Sequence, residues 1–197
     1  MPDNSPRAPF DGTASSALRR DIARLARASR PLSIKEGIDV FGRTGAHAAI
    51  LLRLQMALEA RGRRNFAYVV SLLNLRTTGA EFLVGCRVGP GLVIRHPQGI
   101  VVGNRAVIGR DCTILHHVTL GERFGDGTDL EHACPTLGSR VVVGAGAVIL
   151  GAVRVGDDAT IGANAVVLND VEPGDMVVGN PGRSLRKMAR TPDPASP

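Results

Sequence analysis

One hydrophobic residue, followed in most cases by glycine, returns every six positions through the second half of this chain. Val88 and Ile94 begin the series, and Val102, Ile108, Ile114 and Leu120 continue it at strict intervals of six. After a break, Leu137, Val143, Ile149, Val155, Ile161 and Val167 resume the same spacing. A period of six matches neither the 3.6 of a helix nor the 2 of an ordinary half-buried strand. It predicts a solenoid: a short strand turns one branched side chain inward, a Gly or small polar residue then makes a corner, and three such units close a triangular coil. Stacked coils bury a continuous column of Val, Ile and Leu, and each coil hydrogen-bonds to the next, so the strands run parallel. A sandwich of alternating strands would show period two and uneven turns instead.

Composition agrees. Of 197 residues 44% are hydrophobic, yet there is no Trp, one Tyr and five Phe beside 24 Gly, which suits a core of small branched side chains. The comb is irregular in two places. Between Ile94 and Val102 the spacing is eight, and the extra length carries "RHPQG", with His96 followed by Pro97. Between Leu120 and Leu137 the polar stretch "GERFGDGTDLEHACPT" must leave the coil, which predicts an extruded loop over 121–136. Loops of that length within a compact domain usually serve function.

The first part of the chain has another character. Residues 1–13 are rich in Pro, Asp and Ser and read as disordered. "SSALRRDIARLARASRP" sets Leu18, Ile22 and Leu25 at helical spacing, with Pro31 as a stop. "GAHAAILLRLQMALEARG" ends at Gly62 and "NFAYVVSLLNLRTTG" ends at Gly79. These predict a small α-helical cap over 14–79, a β-helix over 80–185 and a C-terminal tail over 186–197.

The formal charge of +6 comes mainly from scattered arginines, with Lys35 and Lys187 the only lysines. No nucleic-acid motif accompanies them and aromatic residues for stacking bases are nearly absent, so nucleic acid is not an expected partner. Cys86, Cys112 and Cys134 lack CxxC spacing, which argues against a disulfide framework and for a reducing, cytoplasmic setting. No hydrophobic run approaches eighteen residues, and the N-terminus lacks the apolar core of a signal peptide, so membrane insertion is not expected.

"AHAAILLRLQMALEARG", "RTTGAE", "GIVVGNRAVIG", "VTLGE", "VVVGAGAVILGAV" and "IGANAVVLNDVEPGDMVVGNPGR" together resemble the hexapeptide-repeat acyltransferases. Within that superfamily the chain looks like the serine acetyltransferase branch, with its relatives that O-acetylate sugars in polysaccharide pathways. The match runs from about Gly45 to Leu185. The resemblance implies a left-handed parallel β-helix, an exception to the usual right-handed crossover. It further implies a homotrimer that binds acetyl-CoA as co-substrate in a groove between neighbouring coils and passes acetyl to a hydroxyl, with no metal. By position His96 matches the family's general base and Glu81 the carboxylate that orients it. The chemistry is sound: an alcohol attacks a thioester poorly unless a base takes its proton, and neutral imidazole suits that task near pH 7. Glu81 and His96 lie fifteen residues apart, less than one eighteen-residue coil, so they can meet across a corner.

For acetyl-CoA the resemblance points to the small-residue turns at Ala145, Gly146, Gly162 and Ala163, with Arg183 beside the nucleotide phosphates. On the acceptor side the chain departs from the branch. Aligned on Pro135, Cys134 stands where serine acetyltransferases carry a loop histidine, Ala133 where they carry arginine, and His132 sits two residues early. Arg95 replaces the aspartate that pairs with the serine ammonium. These departures favour a sugar or other small hydroxyl compound as acceptor, with L-serine the alternative. His117 is expected to line the acceptor side and His116 to be structural or solvent-facing. Two rival readings remain at this level: a γ-carbonic-anhydrase-like zinc site using His96, His117 and His132, and a non-catalytic β-helix scaffold.

Overall fold

Each six-residue step becomes one side of a triangular prism. The computed structural model describes residues 13–26, 44–123 and 134–188. Its strands are two or three residues long and fall into three sheets, one for each face. Sheet A stacks β1 (Glu81–Phe82), β4 (Val101–Val102), β7 (Thr119–Gly121), β10 (Val148–Leu150) and β13 (Val166–Val167). Sheet B stacks β2 (Arg87–Val88), β5 (Val107–Ile108), β8 (Thr136–Leu137) and β11 (Arg154–Val155). Sheet C stacks β3 (Val93–Arg95), β6 (Thr113–Leu115), β9 (Val142–Val143), β12 (Thr160–Ile161) and β14 (Met176–Val178), and closes on β15 (Arg183–Ser184). All pairings are parallel except β14 with β15. This is the left-handed parallel β-helix that the comb and the resemblance predict.

Every comb residue from Val88 to Val167 is at most 2% exposed. Full burial of such a side chain stabilises by roughly 1.5–3 kcal/mol over leaving it in water, so the column is the main source of fold energy. A second inward column, two residues ahead of the first, holds Ala106, Cys112, Val118, Val141 and Ala147, each fully buried. These positions take smaller residues because they sit nearer the corners, where the prism narrows. The corners also need left-handed backbone. His117 and Asn164 on one corner, and Asp111, Arg140 and Asp158 on another, have φ between 56° and 61°. Asn, Asp and His are the side chains that tolerate this region best after glycine.

Three helices precede the coil: α1 (Ala14–Ala26), α2 (Thr44–Ala60) and α3 (Arg64–Thr78). Gly45, in the first turn of α2, lies so close to β3 that an added Cβ would sit 2.1 Å from the Ile94 carbonyl oxygen. Helix α3 stops at Gly79, whose left-handed φ of 77° ends the helix with its N–H bonded to the Leu75 carbonyl. α1 is held by a buried ion pair. Asp21 and Arg53 have side chains 2% and 4% exposed, with Nε of Arg53 2.8 Å from Asp21 Oδ2. Arg53 also donates to the Val88 and Gly89 carbonyls, while Asp21 Oδ1 accepts from the Gly91 and Leu92 amides. α1 is thereby pinned to the corner that leads into β3. Among the described residues no helix is long and apolar enough to cross a membrane.

A single helical turn, α4 (Leu185–Met188), follows β15, so regular structure continues past the expected end of the coil. The expected disorder over 1–13 and the Pro31 stop lie outside the described residues but for Thr13, as do most of the 121–136 loop, with His132, and the end of the tail.

Candidate active site

The eight-residue interval is the corner from sheet C to sheet A. β3 ends at Arg95, and residues 96–100 make the turn into β4. His96 takes φ 56° and Gly99 takes φ 70°, so two left-handed residues bracket the buried Pro97. The extra length bulges away from the apolar column and leaves the His96 imidazole exposed on the edge of the prism. The interruption in the comb thus lengthens this corner and sets the His96 side chain outside the apolar column.

Glu81 lies directly beneath this corner. Its N–H bonds to the Ile100 carbonyl at 2.8 Å, and the Gly99 N–H bonds back to Gly79 at 2.9 Å. Gly79 matters here because an added Cβ would meet Gln98 Cα at 3.3 Å. The end of α3 therefore sets the backbone of Glu81 directly beneath the turn that carries His96. The carboxylate and the imidazole occupy adjacent segments, with no hydrogen bond between them in the single chain.

One coil further up, the same corner carries His116 and His117. The His117 N–H bonds to the Gln98 carbonyl at 2.9 Å, and its ring lies across Gly99, where a Cβ would come within 2.2 Å of Nδ1. His116 sits between the other two: its ring meets His96 edge-on at 6.0 Å between centroids and His117 at 5.5 Å. His116 Nδ1 is buried without a hydrogen-bond partner. His116, expected to be structural or solvent-facing, is half-buried and packs its ring between those of His96 and His117. Among the described residues no group of three His, Cys, Asp or Glu side chains is arranged to hold a metal ion.

The column continues upward through small residues. Gly146 donates to the His116 carbonyl at 2.9 Å, and Asn164 donates to Ala145 at 2.8 Å. Gly99, His117, Gly146 and Asn164 thus stack in register, all with positive φ. Gly146 lies in this ladder and Ala145, Gly162 and Ala163 flank it, so the corner above the histidines presents mainly backbone and methyl groups. Arg183 lies in β15 opposite Val178, exposed, at the far end of sheet C. Five strand spacings separate β3 from β15, roughly 24 Å at about 4.8 Å each.

The remaining sequence candidates separate. Arg95 is exposed at the end of β3, beside His96. Cys134 does not join them. It is 7% exposed at the corner from sheet A to sheet B, where an added Cβ on Gly103 would lie 3.0 Å from its sulfur. Burial pushes its thiol pKa up, so it is a poor nucleophile there. His132 lies outside the described residues.

A prism of six-residue steps with histidines and small residues stacked on one corner defines the hexapeptide-repeat transferases, and residues 135–169 match the family model described as bacterial transferase hexapeptide (six repeats). A serine acetyltransferase of Helicobacter pylori is 47% identical over 143 residues, covering 73% of this chain and 82% of the relative. A solved soybean serine acetyltransferase complexed with serine superposes with a TM-score of 0.78 at 35% identity, covering 89% of this chain and 70% of that one. A serine acetyltransferase of Brucella abortus in complex with coenzyme A gives 0.77 at 34% identity, with 87% and 67% covered. The chain belongs to the serine acetyltransferase family, and it is an acyltransferase that uses acetyl-CoA.

Proposed function

We propose that the protein transfers acetyl from acetyl-CoA to the hydroxyl of L-serine, with His96 as general base. The observation that carries this reading is the corner itself: an exposed imidazole in a lengthened turn, above the strand that bears Glu81 and below a column of small residues. As the serine Oγ attacks the thioester carbonyl carbon, His96 takes its proton, and the tetrahedral intermediate collapses with loss of the coenzyme A thiolate. The imidazolium then returns its proton to that sulfur, giving O-acetylserine and coenzyme A. Glu81 orients the imidazole and stabilises its charged form. The pantetheine arm runs along Ala145, Gly146, Gly162 and Ala163, with Arg183 meeting the phosphates at the distant end.

The departures at Arg95 and Cys134 favoured a sugar acceptor from sequence. The relatives favour serine: they are named for it, and one was solved with serine bound. Arg95 points outward at the strand end, where it is positioned to meet the serine carboxylate instead of its ammonium. His96 and His117 stand on a convex edge, so a second wall must come from elsewhere. A homotrimer supplies it by setting the loop corner of one copy, which carries Cys134, against the histidine corner of the next. The three free buried thiols suit a cytoplasmic setting.

The test is thiol release from acetyl-CoA with L-serine and a panel of sugars, for wild type and His96→Ala. Serine-dependent release that falls by roughly 10²–10⁴-fold in kcat for the variant, at little-changed KM for acetyl-CoA, is expected. Sugar-dependent release without serine turnover overturns the acceptor, and unchanged activity in the variant overturns the base.

A further inference from the structure

Away from the histidine corner, a cleft of about 860 Å³ opens between α1, α2 and the corner from sheet B to sheet C. Five arginines, Arg19, Arg20, Arg53, Arg61 and Arg110, line it, with no acidic residue among the lining. Asp21 and Asp111 balance Arg53 and Arg20 from outside the lining. Arg19 and Arg61 form no ion pair among the described residues. The first turn of α1, which also lines the cleft, contains no acidic residue. The Ser16 amide of that turn is capped by Thr13 Oγ1. Between the arginines the floor is apolar, formed by Met56, Ala57, Val88 and Pro90.

Such an arrangement sets like charges against one another on one wall. It relaxes when an anion arrives. A guanidinium is a planar fork that matches a phosphate bidentately, and more than one uncompensated fork suits a group of more than one negative charge. The volume is that of a pocket for a small organic molecule, not for an inorganic ion alone.

We propose that this cleft is a second ligand site, built for a small organic phosphate with an apolar body. It is separate from the acetyl-transfer corner and does not rest on the identity of the acceptor. The probe is 1-naphthyl phosphate, titrated by fluorescence into the full chain saturated with coenzyme A. Saturable binding is expected, weakened about tenfold or more by Arg19→Glu or by Arg61→Glu, both exposed positions that leave the fold intact. Arg76→Glu, an exposed change of the same charge on α3, is expected to leave it unaltered. Absence of saturable binding overturns the site, as does equal weakening by all three variants. Probe that binds only without coenzyme A belongs to the transfer corner and likewise overturns it. Inorganic phosphate binding as tightly as the probe overturns the apolar part of the assignment.

Discussion

Asp21→Ala tests how the helical cap is fastened to the coil. The substitution removes the carboxylate facing Arg53, whose side chain is 4% exposed, so a guanidinium is left buried with the neutral Val88 and Gly89 carbonyls and the Met56 sulfur as its partners. It also strips the Gly91 and Leu92 amides of their acceptor. Breaking a buried pair by deleting one partner costs about 3–5 kcal/mol, a large share of the 5–15 kcal/mol that holds a typical domain together. For a chain of this size that corresponds to a fall in Tm of roughly 6 to 20 °C. The loss has a ceiling: once it exceeds the docking energy of α1, the helix detaches and the coil stays folded. Two readouts at fixed protein concentration therefore belong together, urea denaturation followed by circular dichroism and limited trypsin digestion at Arg19, Arg20 and Arg24. Asp21→Asn retains an oxygen for the two amides and should cost less than Asp21→Ala. A variant with stability within about 0.5 kcal/mol of wild type and no faster cleavage in α1 would refute the reasoning, since that is the range of an ordinary surface substitution.

Two further outcomes concern the corner and the thiols. Ala163→Phe places an aromatic ring on the exposed small-residue column, so KM for acetyl-CoA should rise about tenfold or more while thermal stability holds; unchanged KM in steady-state kinetics removes that column from the co-substrate path. Burial raises the thiol of Cys86 to about 12 and that of Cys112 to about 11, from an ordinary 9.0, and raises Cys134 as well. Ellman's reagent should thus find no rapidly reacting thiol at pH 8 until the protein is unfolded. By linkage the folded chain holds these protons when the unfolded chain has released them, so stability should fall as pH rises above about 9. A flat urea midpoint between pH 8 and pH 10.5 counts against burial of the thiols.

Much of this was legible in the residues themselves, for a local reason. A six-residue period places Val102, Ile108 and Ile114 on successive faces of one coil whatever lies elsewhere, because every contact in a solenoid is with the next coil. The same register stacks Gly99, His117, Gly146 and Asn164 on one corner, and the break at His96 marks that corner in the sequence. The second inward column was equally present in the spacing, two residues ahead of the first, but its small side chains carry a weaker hydrophobic signal. Cys134 illustrates the limit. Alignment on Pro135 sets it on the acceptor side, and within one chain it packs beside Gly103, on a different corner from His96, which the comb spacing alone does not tell. The pairing of Asp21 with Arg53 spans thirty-two residues with no periodicity to announce it. Neither side chain has a reason to be buried until α1, α2 and the start of β3 meet. Repetition makes the coil and its histidine corner readable from order alone, whereas the helical cap, its buried charges and its arginine-lined cleft exist only through contacts between segments that no repeat relates.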